Sequence, residues 1–259
     1  MNGKSARAPA KGSGGSKTAY SLDRLVHMLG PRANPEPGWL SEVVGCTVET
    51  AERAIGGITA REAQVVELCD NISRSGRTYY AQFPAPIELY AFVKLTKPGL
   101  MVESGVASGV SSAFLLLGAS SNRYGALYSM DLPVVRRGRR GDESWAIPPG
   151  LTSGWAIPTA LRRNWTLLTG RSEDLLGPLL RDIGSLDLYC HDSPVSAEHL
   201  EFEMKSIVGH LRRGSLVVAD NTGANRKAFA AAADAFGTSP IRRRRSDLAA
   251  FRVPQAWAP

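Results

Sequence analysis

Cysteine is scarce in this chain: three residues, Cys46, Cys69 and Cys190, odd in number and far apart. That excludes a disulfide framework and fits a reducing compartment. No CxxC pair and no Cys/His cluster points to zinc. A long hydrophobic run is also missing. The longest uncharged stretch beside an apolar run, residues 104–122, holds six Ser and three Gly, and its apolar core is only Ala113 to Leu117. A spanning helix needs about 20 predominantly apolar residues, so no membrane segment is expected. The N-terminus has no apolar h-region, so no signal peptide is expected and the cytoplasm is the predicted location. Acid is absent from residues 1–17, which carry Lys4, Arg7, Lys11 and Lys17.

What remains is ordinary for a globular protein: 43% hydrophobic and 21% charged residues. A chain of 259 residues can form one large α/β domain, alone or with a small appendage. The net charge is +7, and the basic tail supplies more than half of it. Two further basic runs stand out, Arg136–Arg137 with Arg139–Arg140, and Arg242 to Arg245. Such runs suit nucleic acid or acidic lipid, or simply solvated loops.

Residues 1–19 are Gly/Ser/Ala/Lys-rich and are expected to be a disordered basic tail. Residues 20–76 are expected to form a helical N-terminal cap. There Leu22, Leu25, Val26 and Leu29 share one helix face, with Ser21 as N-cap and Gly30-Pro31 as the stop. A second helix is predicted near Thr50–Ile55. A third is predicted over Thr59–Ser73, with Thr59 and Glu62 as a capping box. Residues 77–259 form the main domain. A helix over Pro86–Leu95 precedes short apolar runs at Leu100–Val102, Ala126–Met130, Trp165–Leu168, Leu186–Cys190, Leu216–Ala219 and Leu248–Val253, with helical stretches between most of them. Strands alternating with helices predict an α/β fold with a parallel sheet covered on both faces. Ligands then bind beyond the carboxyl ends of the strands.

The first strand runs into Glu103-Ser104-Gly105-Val106-Ala107-Ser108-Gly109-Val110-Ser111. Small residues let the backbone turn tightly and approach a ligand. The dehydrogenase GxGxxG pattern is not met, because Ala107 stands where its middle glycine would be. A carboxylate at Glu103 would repel a pyrophosphate but not a cationic cofactor. The second strand ends at Asp131, placed to accept ribose hydroxyls. The third leads into Ser172-Glu173, beside the base of an adenosine ligand. The fourth ends in His191-Asp192 and the fifth in Asp220-Asn221. Asp192, Asp220 and Asn221 are oxygen ligands suited to a hard cation such as Mg²⁺.

Taken in order, ESGVASGVSS, SMD, GRSEDLL, YCHDS and VVADN resemble the motifs of class I S-adenosylmethionine-dependent methyltransferases. The resemblance covers residues 77–259, and the segment from Gly154 to Ser193 is especially similar to methyltransferase family 24. It implies a Rossmann-like, seven-stranded, mostly parallel sheet whose last strand is antiparallel. The Arg242–Arg245 run then falls in a solvated turn before that strand. S-adenosyl-L-methionine is the implied cofactor. Glu103, Gly105, Ala107, Ser108, Gly109, Ser111, Asp131, Ser172, Glu173 and Asp192 are the expected cofactor-binding residues. The strand-end motifs are also similar to the catechol O-methyltransferase group, which implies a divalent cation on Asp192, Asp220 and Asn221. That group carries a lysine base where this chain has Val195, and family 24 members often carry a His there.

Asp192 and His191 are the candidate catalytic residues, His191 as a general base. The connection from Arg136 to Pro158 is long enough for a lid, and its Trp145 and Trp155 either line an acceptor pocket or anchor the loop. The leading expectation is an enzyme that O-methylates a small-molecule hydroxyl, with metal assistance and homo-oligomer formation left open. A methyltransferase on RNA or protein draws support from the basic runs. A cofactor-binding, non-catalytic homologue draws support from Val195.

Overall fold

The computed structural model describes residues 15–75, 83–133, 147–193, 196–244 and 246–257. Residues 1–14 of the expected tail, Arg136 to Arg140, Trp145, Val195 and Arg245 lie outside the described residues.

The apolar runs pair as one seven-stranded sheet in the order β3-β2-β1-β4-β5-β7-β6. Its strands are β1 (Leu100–Ser104), β2 (Ala126–Asp131), β3 (Trp165–Thr169), β4 (Leu186–His191), β5 (Leu211–Ala219), β6 (Ile241–Arg242) and β7 (Ala249–Arg252). The first five are parallel, and β7 runs antiparallel between β5 and β6.

Side-chain alternation assigns each strand residue to one of two cores. Met101, Leu127, Leu188, Cys190, Leu216 and Val218 pack on one face, against α5 (Pro86–Thr96) and α6 (Val110–Asn122). Val102, Met130, Tyr189, Val217 and Ala219 pack on the other, against α7 (Ser172–Ile183), α8 (Ala197–Val208) and α9 (Arg226–Asp234). Burial on both faces explains why the strands are nearly continuous in apolar residues.

The N-terminal segment forms α1 (Gly15–Leu29), α2 (Pro37–Val44), α3 (Val48–Gly56) and α4 (Glu62–Arg74). Leu25, Leu40, Ile55, Ile58 and Leu68 are buried in the same core as α5 and α6. These helices therefore extend the α5/α6 layer.

Local details differ from the sequence reading. Residues 15–19 are the first turns of α1, so Ser21 lies inside the helix. Thr47 caps α3 by accepting from the Thr50 amide. The Thr59 box does not form: Gly57–Arg61 is a 3-10 turn, and the Thr59 hydroxyl donates to the Gly56 carbonyl. Among the described residues of the Arg242–Arg245 run, Arg242 and Arg244 are exposed as expected but Arg243 is not. Arg242 lies in β6 and pairs with Asp247 at 3.2 Å. Arg243 is buried, donating to Glu88 Oε1 at 2.9 Å and to the Asn34 carbonyl at 2.6 Å. Arg243 is thus bound into the fold, while Arg242 and Arg244 face solvent.

Candidate active site

The carboxyl ends of β1, β2, β4 and β5 meet at one edge of the sheet, and the turn after β1 lies at its centre. Gly105 has φ +85°, and a Cβ there would sit 2.0 Å from the Asp192 carbonyl oxygen. Only glycine allows the β1 and β4 loops to come so close. Gly109, at φ +93°, precedes α6 against Ile157 and Gly154, which a Cβ would strike at 2.5 and 2.9 Å. Between them Ala107 takes φ +45°, a conformation uncommon for a residue with a side chain. Ser108 and Ser111 are buried in the same turn.

Glu103 is fully buried. Alternation along β1 turns it toward α6, where Oε2 accepts from Ser112 Oγ at 2.5 Å and Ser129 Oγ at 2.7 Å. Its Oε1 is buried with no hydrogen-bond partner. Burial drives the carboxyl up to about 7, against the hydrogen bonds from Ser111, Ser112 and Ser129. Glu103 therefore props the turn from beneath.

Asp131 ends β2 and is half-buried. Its Oδ1 accepts from the Val106 amide at 3.2 Å, and its Oδ2 accepts from the Ser153 hydroxyl. Ser153 belongs to the connection before β3, which lies along the Gly-rich turn. Gly154 and Ala156 donate their amides to the carbonyls of Ala107 and Ser108, at 2.8 and 3.1 Å. Ser153 carried no signal in the sequence. Trp155, partly buried in this connection, packs on the core and has an unpartnered Nε1. With Ile157 and Arg162 it faces Glu67, Asn71 and Arg74 of α4 across a cavity of about 530 Å³.

Asp192 and Asp220 follow β4 and β5 side by side. Burial holds the Asp192 carboxyl well above its usual range, and the neighbouring carboxylates of Asp220, Glu103 and Asp131 push it further. Asp220 is also raised, mainly by burial. Asn221 adopts φ +56° and turns Nδ2 toward Asp220 Oδ2 at 3.5 Å. Among the described residues no group of three or more His, Cys, Asp or Glu side chains is arranged to hold a metal. Two adjacent raised carboxylates and a rotatable amide nonetheless fit a hard cation that keeps several waters. Asp192 and Asp220 would hold it, with Asn221 as the third oxygen.

His191 lies on the α8 face of β4 and is 1% exposed. Its Nδ1 is 2.6 Å from Glu203 Oε2, which also accepts from Ser104 Oγ at 2.6 Å and Tyr189 OH at 2.7 Å. Glu203 Oε1 takes His199 Nε2 at 2.9 Å and Ser193 Oγ at 3.2 Å. These donors, His191 and His199 foremost, outweigh burial and hold the Glu203 carboxyl far below its usual range. The sequence reading missed Glu203. Its signal was the i, i+4 spacing from His199 on a helix facing two polar strand ends. Ser172 and Glu173 open α7 and reach this network through His199, at 3.1 Å to Ser172 Oγ and 3.3 Å to Glu173 Oε1. Ser172 is inside the helix and Arg171 is the N-cap, without a side-chain cap bond.

The strand order, the antiparallel β7 and a glycine turn facing the acid at the end of β2 define a class I, Rossmann-like methyltransferase fold. Residues 102–222 match a family described as a methyltransferase domain, family 24. Two solved structures share the fold. The O-methyltransferase NovP is 15% identical with a TM-score of 0.51, over 92% of this chain and 99% of that one. A cofactor-bound protein from MTB, Rv0187, is 14% identical with a TM-score of 0.50, over 73% of this chain and 90% of that one. No curated protein matches the sequence of the chain. Among the described residues no helix is long and apolar enough to cross a membrane.

Proposed function

We propose that the enzyme methylates a hydroxyl group of a small molecule. The observation that carries this reading is the row of carboxylates at the sheet edge, Asp131, Asp192 and Asp220. Among the described residues none of the three forms an ion pair with Lys or Arg; Asp192 is raised by burial and then by the Asp220 charge, and Asp220 is raised mainly by burial, with His191 and Arg32 acting the other way. Unbalanced negative charge in a partly dry site attracts cations. S-adenosylmethionine supplies the methyl group from a positively charged sulfonium, and a divalent cation would acidify a bound hydroxyl.

The chain's own residues supply placement. Asp131 accepts the ribose hydroxyls, exchanging its bond with Ser153 for them. The Gly105–Gly109 turn lets the methionine end lie close to the backbone, and the first turn of α6 offers its amides to the carboxylate. Ser172 and Glu173 stand on the adenine side. Asp192 sits between the cofactor and the acceptor and accepts the hydroxyl proton or ligates the cation. His191 is held by Glu203 one residue behind it and is the second candidate base. In-line displacement needs chiefly this alignment. NovP, called an O-methyltransferase, is consistent with an oxygen acceptor.

Methyl transfer from labelled S-adenosylmethionine to a panel of phenolic, sugar and carboxylic hydroxyl acceptors, with Mg²⁺ and with a chelator, tests the reading. Labelled methyl ether or methyl ester product that is lost in Asp192→Ala supports it. Transfer confined to RNA or protein would contradict it. Turnover unaffected by chelator would remove the cation and leave Asp192 and His191.

A further inference from the structure

His199 offers both ring nitrogens to carboxylates on different helices. Nε2 is 2.9 Å from Glu203 Oε1 and Nδ1 is 3.3 Å from Glu173 Oε1. A neutral imidazole has one N–H and can serve only one of them. An imidazolium donates from both nitrogens. The arrangement is therefore complete only when the ring is charged. One of its anchors cannot move readily. Glu203 is fully buried and holds Ser104 at the end of β1 and Tyr189, His191 and Ser193 on and after β4. The other anchor, Glu173, lies in the first turn of α7 with its side chain 34% exposed, beside Ser172.

We propose that His199, as an imidazolium bridging Glu203 and Glu173, is a positioning residue that presents the first turn of α7 to the adenosine half of the cofactor. This rests on the cofactor placement given above. The charged groups facing the ring are Glu203 on its own helix, Glu173 on α7 with Arg171 behind it at 2.7 Å, and His191 on β4 with ring centroids 6.3 Å apart. Both carboxylates favour the charged ring, and the hydrogen bond to Glu203 is the main cause that holds its pKa above 6.5. Loss of the proton turns a lone pair toward one carboxylate. Glu173 is the one that leaves, since it is exposed and Arg171 can hold it elsewhere. The latch is present below the ring's raised pKa and is lost as pH rises through it.

Calorimetric titration of the full chain with S-adenosylhomocysteine, from neutral to alkaline pH, tests this in the wild type, His199→Gln and Glu173→Gln. The wild type should weaken about threefold to tenfold as pH rises through the His199 pKa, the range for a lost charge-assisted hydrogen bond at a partly exposed site. His199→Gln should bind at the weaker level at every pH, with a flat profile and a melting temperature within a few degrees of wild type. Glu173→Gln should flatten the same profile, and it decides the matter if His199→Gln does not fold. Retention of the wild-type affinity or pH profile in the folded variants would overturn the proposal alone. Failure of the wild type to bind S-adenosylhomocysteine at any pH would overturn the cofactor placement and this inference with it.

Discussion

Replacing Gly105 by alanine tests how closely the β1 and β4 loops are locked together. Two separate costs are expected. The first is conformational: an L-residue at φ +85° is strained by about 1–2 kcal/mol, partly offset by about 0.4–1 kcal/mol because alanine restricts the unfolded chain. The second is steric. The new Cβ would sit 2.0 Å from the Asp192 carbonyl oxygen and 2.9 Å from the Ser193 amide nitrogen, backbone atoms that cannot rotate away. Overpacking of this kind costs roughly 1–3 kcal/mol, so the whole loss should be about 2–4 kcal/mol. Gly45 separates the two costs. It is a left-handed C-cap at φ +75° with nothing within 4 Å of its Cβ position. Gly45→Ala should therefore lose only the conformational part, about 0.5–1.5 kcal/mol. Urea unfolding of both variants gives the difference directly. Gly105→Ala should also weaken S-adenosylhomocysteine, because relief of the collision moves the loop that carries Asp192. Equal destabilisation of the two variants would refute the close approach.

Asp131→Ala should weaken S-adenosylhomocysteine by about 1.5–3 kcal/mol through loss of charge-assisted hydrogen bonds, measured by calorimetry. Arg243→Met should cost about 3–5 kcal/mol in urea unfolding, because Glu88 is left buried without its cation. Asp192 has its folded pKa raised above 3.8, so without ligand its charge opposes folding, and stability is recovered as pH falls through the raised pKa. Asp192→Asn should therefore stabilise the ligand-free protein at neutral pH by about 1 kcal/mol or more, with the gain over wild type shrinking toward acid in paired melts.

The central strands were legible because they are buried on both faces, which leaves short continuous apolar runs such as Leu216–Ala219. β6 was not. It has two residues, one of them Arg242, and owes its existence to pairing with β7. α2 was also missed, since Trp39, Leu40 and Val43 are buried through packing on α3, α5 and the last two strands, which no local pattern announces. The residue types at the site were visible at the strand ends, but their directions were not. Glu103 and His191 both end strands, yet alternation turns Glu103 under the turn toward α6 and His191 away toward α8. Counting from Met101 and Leu188 along each strand carries that information. Glu203 and Ser153 come from segments far along the chain and enter only through tertiary packing.

The carboxylate edge around the Gly105 turn is the proposed seat of a cationic adenosyl cofactor. Calorimetric titration of the wild type with S-adenosylmethionine, and with NAD in parallel, tests it most directly. One site with micromolar affinity for S-adenosylmethionine, about −8 kcal/mol, and no heat from NAD are expected. Binding of NAD with none of S-adenosylmethionine would contradict it.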